Sequence, residues 1–165
     1  MVLSLAVATL EDAADLARLR CAAANHLTDQ HGYGHWSGAI TERAVLYGIR
    51  TSRVIVARSA DGIVGTLRLA TKKPWAIDTR YFATVRRALY LLDMAVDPRV
   101  QRQGIGRQLL DHVRAVTREW PADAIRLDAY DAAAGAGPFY AKCGFREVAR
   151  ISFRGVPLIY YELLL

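Results

Sequence analysis

The sequence predicts a single α/β domain, built on a central twisted mixed sheet of roughly six to seven strands with about four flanking helices. Three observations predict this fold. The 165 residues suffice for one domain, which we place over 1–165, and are too few for two complete cores. Strand-like apolar runs come first along the chain, and strands then alternate with helices. One amphipathic helix lies between two strands, which favours a parallel strand pair in the sheet.

The first half of the chain carries three strand patterns and two helix patterns. Thr9 begins the first helix, with Asp12 at the spacing of a capping box, and this helix should fade by about His26. Thr41 begins a second helix that runs to about Ile49. The predicted strands cover residues 2–8, 52–58 and 63–70, and the last two flank an Asp-Gly pair typical of a β-hairpin.

The second half alternates strands with helices. The clearest element is a helix over 104–119, because its apolar residues recur on one face. That face is formed by Ile105, Leu109, Val113 and Val116. Pro138 near the start and Gly144 just past the end predict a short helix over 138–143. Strands are predicted over residues 90–96, 125–130, 145–153 and 157–165.

The composition excludes several classes of protein. Hydrophobic residues make up 53% and charged residues 23%, so the chain can bury a core and is not disordered. No apolar run reaches the roughly 18 residues of a membrane-spanning helix. The apolar opening has no basic residue ahead of it, so we expect no signal peptide. Cys21 and Cys143 stand alone, which argues against a disulfide framework or zinc site and favours the cytoplasm.

The charge balance indicates an anionic partner. The chain has 22 Lys+Arg and 16 Asp+Glu, a net charge of +6. Such an excess suits nucleic acid, an acidic membrane or a phosphate-bearing small molecule. Residues 99–118 hold five arginines and one aspartate, so much of the excess lies on one segment.

This basic segment contains the strongest functional motif. Residues 96–106 pass from a predicted strand through a glycine-containing turn into the start of a helix. Gly104 and Gly106 let the backbone approach a ligand, and the first amides of the helix have no partner within it. Together with the helix dipole, these features predict a phosphate site, the alternative being a simple cap and turn. The motif is neither a P-loop nor a dinucleotide fingerprint.

Two motifs lie in order in the second half of the chain. The first is Gln101-Arg102-Gln103-Gly104-Ile105-Gly106, and the second is Phe-Tyr-Ala-Lys-Cys-Gly-Phe over residues 139–145. Together they resemble the GCN5-related N-acetyltransferase (GNAT) superfamily, whose phosphate loop reads Gln/Arg-x-x-Gly-x-Gly/Ala and whose later segment often reads Phe-Tyr-x-Lys-x-Gly-Phe. The resemblance is strong over 90–165 and only topological over 1–80.

The resemblance implies acetyl-coenzyme A as the co-substrate, and we expect no metal ion. It assigns backbone hydrogen bonds to the pantetheine arm to Met94, Ala95 and Val96. It assigns the pyrophosphate to the loop residues Gln101, Arg102, Gln103, Gly104, Ile105, Gly106 and Arg107. The pantetheine would enter between splayed parallel strands, here 90–96 and 125–130. Many members carry an asparagine where this chain has Ala133, so backbone groups, Asp131 or nothing replaces that contact.

The resemblance also implies direct attack of a neutral amine on the thioester, with one proton removed from the amine and one given to the thiolate. Tyr140 matches the family's usual general acid, and a phenol with a pKa of about 10 holds its proton at neutral pH. The alternative for Tyr140 is packing beside Phe139. Asp93 is the predicted general base, provided that its strand face opens on the cleft. The alternative for Asp93 is a carboxylate paired with an arginine.

Acceptor recognition is less clearly marked in the sequence. Residues 28–38 contain three glycines among histidine and aromatic side chains, which suggests a shaped loop over the acceptor, with plain packing as the alternative. We expect His35, Trp36 and Asp78 to bind the acceptor. Asp78, Glu42 and His35 are further candidates for the general base. The positive charge disfavours polycationic acceptors and leaves a small amine, an amino acid or a protein N-terminus.

These patterns predict an N-acetyltransferase that acts on a primary amine of a small molecule or of a protein N-terminus. The alternative is a non-catalytic module that binds CoA or acyl-CoA. Nucleic acid is disfavoured as a partner because no aromatic stacking pattern accompanies the arginines, and no membrane partner is expected. The apolar run 158–165 offers a strand to a second copy, and members of the family are often dimers, so we expect a homodimer.

Overall fold

The computed structural model describes residues 1–165 and confirms the predicted α/β fold. It contains seven strands and four helices in the order in which the sequence predicts them. The strands are β1 (Ser4–Val7), β2 (Arg53–Ser59), β3 (Gly62–Ala70), β4 (Ala88–Val96), β5 (Ala124–Tyr130), β6 (Arg146–Phe153) and β7 (Val156–Leu164). The helices are α1 (Ala13–His31), α2 (Glu42–Thr51), α3 (Ile105–Glu119) and α4 (Gly137–Lys142).

A single sheet organises the molecule, with strand order β1-β2-β3-β4-β5-β7-β6. Every neighbouring pair is antiparallel except β4 and β5, which α3 connects as a parallel pair. These two strands pair only over Ala88–Tyr90 and Ala124–Arg126. Their remaining residues up to Val96 and Tyr130 are not paired with each other, so the sheet is open between their carboxyl ends.

A β-bulge in β4 lies beside this opening. Between the pairs Arg68–Leu92 and Thr66–Ala95, β3 has one residue and β4 has two. Asp93 is one of the two, and its φ of 55° lies in the left-handed region, which aspartate tolerates better than most residues. The side chains of residues 92–95 therefore do not alternate strictly between the two faces of the sheet.

The two faces of the sheet are covered by different helices. The apolar stripe of α3 packs on one face against buried residues such as Leu67 and Leu127. On the other face, α1 and α2 bury a smaller cluster that includes Leu16 and Val45. None of the four helices combines the length and the apolar character that crossing a bilayer requires.

The first helix is longer than the sequence predicts. It runs to His31 instead of ending near His26, because polar residues at 26–31 continue it and Gly32, with a φ of 79°, is the first residue that breaks it. The loop with the histidine and aromatic side chains therefore begins at Gly32.

The position of β7 corrects one prediction. Residues 158–165 were expected to offer a strand to a second copy, but β7 lies inside the sheet, paired with β5 on one side and β6 on the other. The edge strands are β1 and β6. A second chain has no free ladder to pair with on β7, so this reason for a homodimer is wrong.

Candidate active site

The loop between β4 and α3 presents a row of unpaired amides at the open end of β4. No backbone amide from Gln101 to Arg107 donates a hydrogen bond within the protein, whereas Gln108 donates to the Gly104 carbonyl. Gly104 caps α3 with a φ of 82°, which an L-residue adopts only with strain. These donors lie where the helix dipole is positive, so the loop is arranged to hold an anion.

A cavity of about 520 Å³, here called the loop cavity, lies in front of these amides. Its wall includes nine of the ten residues predicted to bind the cofactor: Met94, Ala95, Val96, Gln101, Arg102, Gly104, Ile105, Gly106 and Arg107. Gln103 does not line it. A Cβ on Gly106 would lie 3.0 Å from Phe139 and 3.3 Å from Met94, so a larger residue here requires these side chains to shift by a few tenths of an ångström.

The basic charge of this region is only partly free to meet a ligand. Arg102 and Arg107 line the loop cavity. Arg99 instead forms an ion pair with Asp97 at 2.7 Å, and Arg114 donates to the carbonyl of Cys143 at 2.7 Å. The net charge along the segment therefore overstates the number of cations that face the cavity.

Tyr140 reaches the loop cavity from α4 and is 7% exposed. Its ring packs edge to face on Phe139 and Phe145. Its hydroxyl has only a weak acceptor, the Sδ atom of Met94 at 3.6 Å. Burial raises the pKa of Tyr140 far above its usual value, and the nearby charge of Asp128 adds to this, so the phenol stays protonated.

A second cavity of about 360 Å³, here called the α1 cavity, lies on the other side of Met94. It is lined by Arg20, Ala23, Ala24, Leu27, His35, Trp36, Gly38, Ala39, Ile40, Asp93, Met94, Ala95 and Tyr130. The loop after α1 docks on Tyr130, whose hydroxyl donates to the His35 carbonyl at 3.1 Å while the Trp36 ring meets it edge-on. Predicted acceptor residues His35 and Trp36 thus lie in this wall.

The two cavities meet at the bulge of β4. They share Ala23 and Leu27 from α1 and Met94 and Ala95 from β4. The Tyr140 hydroxyl, in contact with the Met94 sulfur, lies at this junction. Two reactants that enter from opposite sides would therefore meet beside Met94.

Residues 50–147, more than half of the chain, match the sequence profile described as Acetyltransferase (GNAT) domain. The chain belongs to the GNAT acetyltransferase family. No curated protein sequence matches it significantly.

Solved structures of other GNAT proteins share the fold of this GNAT chain. PaiA N-acetyltransferase from Thermoplasma acidophilum, in complex with coenzyme A, superposes with a TM-score of 0.75 at 15% identity, covering 100% of both chains. The putative acetyltransferase YncA from Salmonella typhimurium, with acetyl-CoA, gives 0.73 at 17% identity over 100% of this chain and 95% of that one. Ribosomal-protein-alanine N-acetyltransferase from Brucella melitensis gives 0.74 at 17% identity, over 98% and 99%. At such identities the likeness shows the fold.

In this GNAT chain Asp93, the predicted general base, is held by two arginines. Its Oδ1 accepts from Nη2 of Arg20 at 2.9 Å, and its Oδ2 accepts from Nε of Arg68 at 2.7 Å. Both oxygens are therefore already engaged.

The sequence reasoning did not single out Asp128, a partly buried carboxylate in the middle of β5. No hydrogen bond or ion pair from another side chain engages it, and burial raises its pKa above the usual value. Its charge acts on Tyr130 and Tyr140, one on each cavity wall. The signal in the sequence was a lone carboxylate among the buried residues of a strand.

Three further residues that the sequence analysis considered lie outside the two cavities. Asp78 is in a separate cavity with Trp75 and Tyr160, where Arg80 pairs with it, and this cavity shares no residue with the α1 cavity. Ala133 does not line the loop cavity, whose wall there is formed by Ala134 and Ala136. Asp131 pairs with Arg150 at 3.3 Å and is not part of that wall either.

Proposed function

We propose that the protein is an acetyl-CoA-dependent N-acetyltransferase that acetylates a primary amine of a small molecule or of a protein N-terminus. The observation that carries this proposal is the junction of two cavities at Met94, one facing unpaired loop amides and one lined by α1 and its loop. Two reactants held on either side of one point are what direct acyl transfer requires.

The loop cavity suits coenzyme A. The amides from Gln101 to Arg107, with Arg102 and Arg107, would hold the pyrophosphate. Backbone groups of Met94, Ala95 and Val96 would hold the pantetheine in the opening between β4 and β5. The apolar wall of Ala134, Ala136 and Phe139 matches an arm with little charge. When bound, acetyl-CoA supplies the activated acetyl thioester.

Different residues assist the loss of the amine proton and the departure of the sulfur. As the amine nitrogen bonds to the acetyl carbon, the carbon–sulfur bond breaks and the nitrogen loses a proton. Tyr140 remains protonated and points a weakly engaged hydroxyl at the junction, so it serves as the hydrogen-bond donor to the departing sulfur, which takes its proton from solvent.

Asp128 lines neither cavity but lies on β5 two residues before Tyr130 in the wall of the α1 cavity, and we infer that it receives the amine proton through water. Its raised pKa makes it a stronger base than an ordinary aspartate, and no other side chain engages its oxygens. Asp93, which the sequence predicts for this role, has each oxygen in a hydrogen bond to a guanidinium. Asp93 fits better as a charge that orients the acceptor. Both cysteines are free thiols, which suits work in the cytoplasm.

The test measures binding and turnover separately. Acetyl-CoA at millimolar concentration should raise the melting temperature, and a panel of primary amines read by free-thiol release should contain acceptors that increase that release. An unchanged melting temperature would refute the proposal at its first step. Thermal protection without release by any amine would favour a non-catalytic CoA-binding module.

A further inference from the structure

The α1 cavity and the small pocket that adjoins it between α1 and α2 are lined by two cations and one anion. Two guanidiniums, from Arg20 and Arg68, share the single carboxylate of Asp93, and all three side chains are 22–28% exposed. No other Asp, Glu, Lys or Arg lines either space. Among the lining residues, one partly desolvated cation therefore has no counter-ion, which favours an anion from outside.

Arg20 is the arginine that faces the α1 cavity. Arg68 lines only the adjoining pocket, where its Cδ lies 3.2 Å from the Cβ position of Gly48. A guanidinium carries about five N–H groups in a planar fork that suits a carboxylate. Only Nη2 of Arg20 donates within the protein, to Asp93. Arg20 therefore retains donors for a ligand carboxylate.

The remaining wall suits a compact apolar body. Leu27, Trp36, Ile40 and Met94 surround the charged pair. The volume of about 360 Å³ holds a single small molecule. Arg20 and Asp93 place one positive and one negative group side by side, which is the charge pattern complementary to a zwitterion.

We propose that the acceptor is a free α-amino acid with an apolar side chain, whose carboxylate binds Arg20 and whose ammonium first lies beside Asp93. This inference rests on the proposed acetyltransferase function. The ammonium releases one proton to solvent, and the neutral nitrogen then bonds to the acetyl carbon as the carbon–sulfur bond breaks. The second amine proton goes to Asp128, and coenzyme A leaves with its sulfur hydrogen-bonded to Tyr140.

Matched acceptors that differ only in the carboxylate test the proposal. We expect kcat/KM by thiol release to be about 10- to 100-fold higher for L-phenylalanine than for phenethylamine, and for L-leucine than for 3-methylbutylamine. Arg20→Gln should remove this preference, because it should raise KM for the amino acid far more than KM for the decarboxylated amine. Arg20→Lys should restore part of it.

The matched control is Arg18→Gln, which removes a positive charge from the same helix at a side chain 72% exposed and paired with Asp15 outside the α1 cavity. It should leave the preference unchanged. The inference would be overturned by equal rates for both members of each pair, or by an equal loss for both in Arg20→Gln. It would also be overturned by a preference for peptide N-termini, or by acetyl-CoA binding with no amino acid acetylated. A wild-type protein that acetyl-CoA does not protect thermally would instead refute the proposed function.

Discussion

At the scale of single residues, a substitution at Tyr140 can distinguish a chemical role of this side chain from a packing role. The phenol is buried among Phe139, Phe145 and Tyr161, so Tyr140→Phe keeps the aromatic packing and removes only the hydroxyl. We expect kcat to fall about 100-fold while KM for acetyl-CoA stays nearly constant, measured by steady-state thiol release.

The control for this substitution is Tyr161→Phe. Tyr161 is also buried, but its hydroxyl lies against Gly137 and it lines neither the loop cavity nor the α1 cavity. It should leave kcat unchanged. Full kcat in Tyr140→Phe would show that Tyr140 only packs. Because the pKa of Tyr140 is raised, its ionisation should cause no loss of rate at any pH below its usual value of 10.

Asp128 gives a pH-dependent prediction. If the acceptor must lose its ammonium proton and Asp128 must be ionised, log(kcat/KM) should rise with pH at a slope of about two below the Asp128 pKa and about one above it. Asp128→Asn should lower kcat/KM about 100-fold and leave a slope of about one throughout. An unchanged profile would assign the proton to another group.

The same residue makes a prediction about stability. The folded-state pKa of Asp128 lies above the value of 3.8 for the free group, so its ionisation opposes folding once the pH exceeds that value. Asp128→Asn should therefore raise the free energy of unfolding at pH 7, and the gain should vanish below about pH 3.8. Urea denaturation at both pH values measures this. A lower free energy of unfolding for Asp128→Asn at pH 7 would contradict the conclusion that burying the ionised carboxylate opposes folding.

At the scale of elements, we expect the N-terminus of α3 to determine the binding of acetyl-CoA. Gly104 has a left-handed backbone conformation, and no atom lies within 4 Å of its Cβ position. Gly104→Glu therefore adds backbone strain of about 1–2 kcal/mol and a negative charge beside the unpaired amides. We expect loss of the thermal protection by acetyl-CoA, measured as a shift in melting temperature.

The turn between β6 and β7 supplies a matched control. Gly155 has a φ of 81° and equally open space, but lies outside the loop cavity. Gly155→Glu should lower the melting temperature by a similar amount and keep the protection by acetyl-CoA. If both variants lost protection equally, backbone strain rather than the anion site would explain the effect.

At the scale of the whole molecule, a buried ion pair between the neighbouring strands β5 and β7 holds the segment that leads into β4. Arg126 on β5 and Glu162 on β7 lie 2.9 Å apart, and their side chains are 6% and 1% exposed. Both also bond to the backbone of Ala83, in the segment that leads into β4. The pair therefore fixes the approach to the strand that forms one side of the cleft.

Removing one partner should be costly because the other charge stays buried. Glu162→Gln should lower the free energy of unfolding by about 3–5 kcal/mol, measured by urea denaturation. Glu147→Gln is the control, since Glu147 pairs with Arg150 at an exposed position, and its effect should be small. Similar losses for the two variants would mean that burial of the Arg126–Glu162 pair is not what matters.

The sequence predicted local features well. Hydrophobic periodicity and turn residues located all seven strands and four helices, because these signals act over a few residues. The family resemblance assigned nine of the residues that line the loop cavity, and these lie together because a strand, the turn after it and the following helix start are contiguous in the chain. The end of α1 was misplaced because Gly32, and not the polar residues before it, breaks that helix.

What the sequence could not determine depends on contacts between distant segments. The pairing of Asp93 with Arg20 and Arg68, 73 and 25 residues away, follows from the bulge in β4 and the packing of α1 on the sheet. The effect of the Asp128 charge on the pKa of Tyr140, the separation of Asp78 from the α1 cavity and the interior position of β7 likewise arise only when the sheet assembles.

By itself, the sequence determined a basic, glycine-containing turn at the start of α3 within a GNAT chain, and it predicted phosphate binding there because such a site is built from neighbouring amides. The tertiary structure alone decided which charges face the two cavities. Asp97 neutralises Arg99, Asp93 is shared by two arginines, and Arg20 is left with free donors toward the α1 cavity. The physical reason is that charge balance at a site depends on which side chains are desolvated together, and distant parts of the chain supply them.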